Sequence, residues 1–373
     1  MTVAFLCNKN NYKLMAIHYQ MQLLKGVKAY DYNFPTTRYQ GCKQKIVEWI
    51  WKNISHLEFD TFLDAFSGTS CVGFNAKKNQ KEVTCNDILK FNYQVALAII
   101  ENSTILLTDR DIEFILTKQK GIDYPTFIQD TFKDIYYTDE ENSIVDMIVT
   151  NINQLEDQYK KAIAFAALGQ ACLVKRPFNL FHRKNLYVRF ADVPRSFGNK
   201  TTWDKPFQHY FRKFSKEFND AVFSNGKINK ALNCDVFDIP DSYDMVYIDT
   251  PYVSPQGGGV DYQQFYHFLD GIVDYKNWHD KIDLSYKHRP FKSESNVWVN
   301  KNEIEKAFDR LFKKYQDSIL VVSYRSPGIP EKEVLINLLE QYKQDVVLKD
   351  RKYKYVLSKE KENKNGEVLL IAK

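Results

Sequence analysis

TFLDAFSGTSCVGFNAKKNQKEVTCNDILKFNYQVALAII (residues 61–100) sets a short apolar run before a helical pattern, twice over. TFLDAF (61–66) reads as a strand entering a turn, and SCVGFNAKK (70–78) as the helix that follows it. EVTCND (82–87) and ILKFNYQVALAII (88–100) repeat the pair. Such alternation predicts a parallel sheet covered by helices. Just upstream, KQKIVEWIWKNI (43–54) has helical spacing, with Ile46, Ile50 and Ile54 on one face. The rhythm breaks over 101–230, where helical patterns such as KKAIAFAALGQACLV (160–174) dominate and an irregular aromatic and basic stretch follows. From 232 it returns. DMVYID (244–249) and SILVVSYR (318–325) read as strands; YQQFYHFLDGIVDYKNW (262–278) and EKEVLINLLEQY (331–342) read as mostly helix. YKYVLS (353–358) and EVLLIA (367–372) flank Asn365-Gly366, which predicts a hairpin. The expected architecture is α/β: an N-terminal extension (1–36), a sheet domain from 37–100 and 231–373, and an inserted, mainly helical segment (101–230).

The totals are compatible with that size of core. The chain has 373 residues, 44% of them hydrophobic and 15% aromatic, and a formal net charge of +5. A mild basic surplus does not by itself identify a nucleic-acid partner. The six cysteines form no C-x-x-C pair, so neither a zinc framework nor a disulfide scaffold is expected, and a reducing compartment is. The apolar patch Val3–Cys7 is too short for a secretory leader, and the longest apolar stretch, near 162–174, is interrupted by Gln170. A soluble cytoplasmic protein with no membrane partner is expected.

DAFSGTSCVG (64–73) sits where a strand meets a helix, a place where small residues let a ligand approach the backbone. A dinucleotide fingerprint is absent, because Ser70 stands where a second glycine belongs. A phosphate loop is half present: Gly68 and Gly73 fit, but Phe74-Asn75 replace its lysine and hydroxyl. A nucleoside cofactor without a phosphate chain fits what remains, with Asp87, 19 residues after Gly68, positioned to accept ribose hydroxyls. An ordinary tight turn with a solvated aspartate is the plain structural alternative.

Asp249-Thr250-Pro251-Tyr252 also follows a strand, and in open α/β sheets ligands bind beyond the carboxyl ends of strands. The plain alternative is a proline turn. Methylation of an exocyclic amine would use these residues well. Asp249 and the Thr250 main-chain carbonyl would accept the two amino hydrogens, Pro251 would fix the turn, and Tyr252 would stack on a flipped base. No metal or covalent nucleophile is required.

With these motifs in order, the chain resembles the D12 class of N6-adenine DNA methyltransferases over about residues 36–373. TRYQGCKQKI (37–46) is similar to that family's N-terminal cofactor motif, DAFSGTSCVG to its F-x-G-x-G loop, and CNDI to its acidic ribose ligand. NCDVFDI (233–239) is similar to the segment flanking the cofactor adenine, and DTPY to the D-P-P-Y tetrapeptide. KRPFNLFHRKNLYVR, FYHFLDGIVDYKNW and VVSYRSPGIP also look like family segments. The resemblance implies a Rossmann-like S-adenosylmethionine-dependent methyltransferase sheet whose helical insertion is the target-recognition domain. It implies S-adenosylmethionine contacts from Tyr39, Lys43, Phe66, Gly68, Thr69, Asp87, Asp235 and Asp249. It implies double-stranded DNA as substrate and, as a separate protein, a cognate restriction endonuclease. Ser70 and Thr250 depart from the family pattern. Alternatives are a decayed DNA-binding protein of the same fold, an N4-cytosine methyltransferase, and a nuclease reading of Pro240-Asp241 with Asp274-x-Lys276.

Residues 175–205 hold eight Lys/Arg against Asp192 and Asp204, interleaved with Phe178, Phe181, Tyr187, Phe190 and Trp203. A solvated basic loop would look the same. The resemblance favours DNA contact, with Lys175, Arg176, Arg183, Lys184 and Arg189 as candidates. Gly257–Gly259 reads as a mobile loop able to close over the duplex, or as a plain linker. His182, His267, His279 and His288 lack metal-ligand spacing and are expected in the surface, the core or phosphate contacts. Cys71 is expected to be a packed small residue.

Overall fold

The computed structural model describes residues 32–192, 200–240, 242–352 and 366–373. The chain divides into two units, Met1–Asn33 and Phe34–Lys373, and the second carries everything below. Most of the expected N-terminal extension, Asp241 and the 353–358 segment lie outside the described residues.

Seven strands form one sheet in the order β3-β2-β1-β4-β5-β7-β6. They are β1 (Thr61–Asp64), β2 (Glu82–Asn86), β3 (Lys230–Leu232), β4 (Met245–Ile248), β5 (Ile319–Ser326), β6 (Val346–Lys352) and β7 (Gly366–Ala372). Neighbours from β3 through β5 run parallel; β7 runs antiparallel to both β5 and β6. The central β4 (MVYI) is wholly apolar and buried, and β1 and β2 are buried beyond their first residues, as a sheet covered on both faces demands. Alternation sends Val246, Ile248, Leu320, Val322, Val368 and Leu370 into one core, with Phe308, Leu311 and Phe312 of the helix Ile304–Lys314 and Leu335 and Leu339 of the helix Lys332–Leu339. The helix Cys71–Lys78 follows β1 and packs back on β1 and β2. Ile46, Ile50 and Ile54 are all buried, the last two on the helix Val47–Ile54.

Some expected boundaries shift. The helix expected over 88–100 is Lys90–Ala96 followed by one π turn, Leu97–Glu101. The helix expected over 262–278 ends at Val273 and is succeeded by short turns. At the sheet edge β7 pairs with β6 (346–352), a strand not expected from the sequence; the expected strand at 353–358 lies outside the described residues. VVLKDRK (346–352), three apolar residues followed by four charged ones, carries no period-2 signal, and β6 is the edge of the described sheet.

The helix Gln158–Val174 is apolar on every side and almost wholly buried, the signature of a core helix. It packs on the helix Phe207–Asp220, which contributes Phe207, Phe211, Phe214 and Phe218, and on the helix Lys90–Ala96. The latter approach depends on Gly169: a β-carbon there would lie 2.1 Å from the Phe91 ring. A second cluster of rings, Phe132, Tyr136, Phe181, Phe268 and Trp278, joins the 127–181 region to the 262–281 region. Gly169→Ala is expected to destabilise the protein by about 1–3 kcal/mol through overpacking, measured by denaturant unfolding; an unchanged midpoint would show that Phe91 gives way freely.

Candidate active site

The C-terminal ends of β1, β2 and β4 open onto a cavity of about 390 Å³, within the range of small-molecule sites. All eleven residues read from the sequence as cofactor or catalytic candidates (Tyr39, Lys43, Phe66, Gly68, Thr69, Asp87, Asp235, Asp249, Thr250, Pro251 and Tyr252) line it. They come from five separate stretches of chain, so their convergence is a product of the sheet order.

On the β1–β2 side, the Asp87 carboxylate accepts from the Gly68 N–H (2.8 Å) with one oxygen and from the Leu89 N–H (2.9 Å) with the other. Each oxygen retains capacity for one further donor, which suits a pair of vicinal hydroxyls. Burial pushes the Asp87 carboxyl up to about 6, against the pull of these hydrogen bonds. Asp64, at the end of β1, accepts from the Gly73 N–H at 3.1 Å, and burial raises it to about 8. Its other oxygen is buried with no partner among the described residues. Asp235 accepts from the Phe237 N–H at 2.9 Å. Phe66 meets Trp298 edge-on at 5.0 Å, so the wall on that side is aromatic.

The N-terminal motif closes the opposite wall. Tyr39 stacks on Tyr266 at 4.0 Å and takes a hydrogen bond from Asn92 at 3.1 Å. Gly41 has φ +88°, and a β-carbon there would lie 2.5 Å from the Tyr262 hydroxyl, so both backbone and space call for glycine. The tight turn aims Lys43 at the end of β4, where its ammonium lies 2.8 Å from Asp249 Oδ1 and 3.4 Å from Glu367 Oε1. Burial raises the Asp249 carboxyl to about 6; Lys43 pulls it down and Glu367 pushes it up. Tyr252 is held by Arg325, whose guanidinium lies 4.8 Å from the ring centroid and donates to the phenol oxygen. The Thr250 hydroxyl is buried and finds no partner among the described residues.

Sequence reading missed Glu367, Arg325, Asn92, Tyr262 and Trp298. Only Arg325 sits in a segment the resemblance had covered with a flanking motif of its own, VVSYRSPGIP; Tyr262 borders another. Glu367 opens an apolar run and carried no local signal. Ser70 adopts φ +59°, the left-handed conformation that a glycine at this position would take without strain. Cys71 is buried, and its thiol is pushed up by its hydrogen bond to Cys42 and by burial. Gly257–Gly259, expected to be a mobile loop, forms a hydrogen-bonded turn: Gly257 N–H donates to Ser254 O (2.8 Å) and Ser254 N–H to Gly258 O (2.9 Å).

Three of the five expected DNA-contacting cations are in the interior. Lys175 pairs with Glu141 at 2.8 Å and donates to Trp203 O at 2.6 Å. Arg189 grips both oxygens of the same Glu141 and donates to Trp203 O at 3.1 Å. Arg176 bonds Asn185 and the Leu180 carbonyl and lies 4.3 Å from the Tyr136 centroid. All three are buried, so phosphate contact does not fit them. Lys175 and Arg189 tie the loop to the helix Asp139–Gln154, whose capping box contains Glu141, while Arg176 closes the loop on itself. Arg183 and Lys184 are exposed, together with Phe178 (45%), Tyr187 (69%) and Phe190 (65%), whereas Phe181 and Trp203 are core residues. His267 is wholly buried among rings, and burial lowers it to about 3. Asp274, half of the nuclease reading, is bound by Lys90 (2.8 Å) and Lys281 (2.6 Å) rather than facing the cavity.

This sheet order, with its one reversed strand and a nucleoside-sized cavity beyond β1, β2 and β4, defines a Rossmann-like methyltransferase. Residues 39–327 match the family of D12 class N6 adenine-specific DNA methyltransferases. The chain is 31% identical over 347 residues to the Type II methyltransferase M2.HphI of Haemophilus parahaemolyticus, spanning 91% of this chain and 97% of that protein. It is 27% identical over 320 residues to the Type II methyltransferase M.FokI of Planomicrobium okeanokoites, covering 80% of this chain and 45% of that protein. It is 26% identical over 348 residues to the modification methylase StsI of Streptococcus sanguinis, covering 85% and 48%. The chain belongs to the D12 class of N6 adenine-specific DNA methyltransferases, a family that uses S-adenosylmethionine. No helix among the described residues is long and apolar enough to cross a membrane.

Three outcomes follow from the local geometry. Ser70→Gly relieves a left-handed serine and is expected to stabilise the protein by about 0.5–1 kcal/mol in denaturant melts; a loss of similar size would mean that the serine hydroxyl contacts dominate. Arg189→Ala strips a buried ion pair and is expected to lower stability by about 3 kcal/mol. Arg183→Ala, at the surface, is expected to leave stability within about 0.5 kcal/mol while weakening DNA binding.

Proposed function

We propose that this protein is the modification enzyme of a Type II restriction–modification system, acting in the cytoplasm on adenine N6 within a specific duplex site and binding S-adenosylmethionine in the cavity beyond β1, β2 and β4. The observation that carries this reading is the meeting of Asp249, Tyr252 and Lys43 with the Asp87–Gly68 pair on one cavity. The residues present fit the cofactor. Asp87 has two oxygens ready for ribose hydroxyls, Asp64 turns an unpartnered carboxyl oxygen among the lining groups, and Phe66 and Trp298 offer aromatic wall. When bound, S-adenosylmethionine supplies a methyl group on an electrophilic sulfonium.

The chain's own residues do the rest. Asp249 and the Thr250 carbonyl accept the two hydrogens of the target amine, which concentrates its lone pair and stabilises the positive charge that develops on nitrogen. Tyr252, fixed by Arg325, presents a face for the flipped adenine. Pro251 holds the turn. Asp249 must be ionised to accept both in the ground state and as charge develops. DNA binding is assigned to the 101–230 segment, with Arg183 and Lys184 on phosphates and the exposed Phe178, Tyr187 and Phe190 beside them. The remaining sheet, 37–100 and 231–373, is the catalytic domain. A cognate endonuclease as a separate protein belongs to the same reading, which follows the names of the relatives.

Asp249→Ala is expected to lower the rate of methyl transfer to duplex DNA by at least about 100-fold. In the wild-type protein the rate is expected to fall as pH drops through about 6, because a carboxyl raised to that value becomes neutral there. Thr250→Pro is expected to keep turnover within about threefold, since the carbonyl is retained. Sequencing of modified bases in DNA exposed to the protein checks base and site together; methylation at cytosine N4, or wild-type turnover by Asp249→Ala, would overturn the reading.

A further inference from the structure

Glu367 is a carboxylate in the interior, near the start of β7, with 1% of its surface exposed. An apolar side chain would suit the strand better, because burying a carboxylate costs several kcal/mol, of that order, unless it is paired and hydrogen-bonded. Glu367 is both. Its Oε1 takes a hydrogen bond from Ser323 Oγ of β5 at 2.6 Å and lies 3.4 Å from Lys43 Nζ. The same ammonium lies 2.8 Å from Asp249 Oδ1.

Resting on the assignment of Asp249 as the acceptor, we propose that Glu367 is a positioning residue that keeps Asp249 competent by sharing Lys43 with it. An ammonium has three hydrogens and can serve two carboxylates at once. A lysine given to Asp249 alone would form a neutral pair, and its charge would oppose the cationic nitrogen that develops during transfer. With Glu367 added, the group carries a net negative charge, and Lys43 orients Asp249 without cancelling it. Ser323 keeps Glu367 from swinging away, and the strand order β4-β5-β7 sets the three groups side by side.

Further titratable groups face the triad among the described residues. Tyr247 on β4 and Tyr262 at the start of its helix both interact with Lys43, Asp249 and Glu367, and burial raises both phenols, so they stay neutral across the working range. Asp64 of β1 interacts with Asp249 and Lys43 from farther into the sheet. Arg325 and Arg351, the register partners of Glu367 on β5 and β6, lie over Tyr252 and Trp49 respectively.

The test is the pH profile of kcat for wild type, Glu367→Gln, Glu367→Asp and Asp249→Ala, with S-adenosylmethionine affinity measured by calorimetry and folding by thermal melts. Glu367→Gln keeps the size and the Ser323 hydrogen bond. It is expected to fold, to bind the cofactor within about threefold, and to lose about 10- to 100-fold in kcat. Its acid limb is expected to move to lower pH by about half a unit to one unit, because a negative neighbour that raises Asp249 has gone. Glu367→Asp, which keeps the charge, is expected to restore much of the limb position. A folded Glu367→Gln protein with an unshifted acid limb would reduce Glu367 to a structural role. Were Glu367→Gln not to fold, Glu367→Asp decides: its limb staying at the wild-type position with kcat falling supports the inference, and unchanged kcat and KM overturn it. Full activity in Asp249→Ala would instead remove the assignment of Asp249, whatever Glu367 does.

Discussion

A carboxylate partly desolvated at the mouth of a strand favours a cation beside it, and much of this site is arranged around that pairing. Asp249 stands at the end of β4, where desolvation favours its neutral form. Lys43 supplies the opposing charge from a turn that lies more than two hundred residues earlier in the chain. The turn works because Gly41 takes a left-handed conformation against Tyr262, while Tyr39 is clamped by Tyr266 and Asn92. The reversed strand belongs to the same arrangement. Because β7 runs antiparallel between β5 and β6, its first residues lie at the edge where β4 and β5 end. Glu367 therefore reaches the active edge, which the first residues of a parallel strand would not.

How much of this was legible in the sequence depended on whether the signal was local. Strand–turn–helix units around Gly68 and Asp249 were readable because the period of apolar residues changes within a few positions and the ligand-facing groups sit at the change. The sign of a charge, in contrast, says nothing about its exposure. Lys175, Arg176 and Arg189 read as a DNA-binding surface, yet Glu141, Asn185 and main-chain carbonyls hold them inside. Their partners lie in a different helix, or at turns whose geometry no spacing rule predicts. Glu367 was invisible for a related reason: its partners, Ser323 and Lys43, are 44 positions and most of the chain away.

Ser70 and Thr250 break the family pattern in different ways. Ser70 keeps the backbone conformation and bears the strain locally; it is fully buried and bonds within its own turn to Ser67. Strain of this kind persists where surrounding structure over-determines the conformation, and ligand loops are a common place for it. Thr250 keeps the carbonyl that the chemistry uses and adds a buried hydroxyl facing no protein partner among the described residues. Both departures leave Asp249, Asp87 and Lys43 in place: Lys43 pairs with Asp249 and Asp87 accepts from the Gly68 and Leu89 N–H groups, contacts that the proposed function uses and that weigh against the reading of a decayed site.

The helix Tyr262–Val273 joins the two halves of the task. Asp261 caps its start, placing Tyr262 and Gln263 on the cavity. One turn on, Tyr266 stacks on Tyr39 and its hydroxyl accepts from the Gln40 N–H at 2.7 Å. Between them, the Phe265 carbonyl accepts from the Phe181 N–H at 2.9 Å, and Phe268 stacks on the Phe181 ring at 4.9 Å. Phe181 is flanked by the exposed Phe178 and Arg183. A single helix thus contacts the Tyr39–Lys43 motif on one side and the basic 175–190 segment on the other. The 175–190 segment is therefore held against the same helix that lines the cavity; under the proposed function, that contact would set the distance a flipped base travels from phosphates held at Arg183 and Lys184 to Asp249.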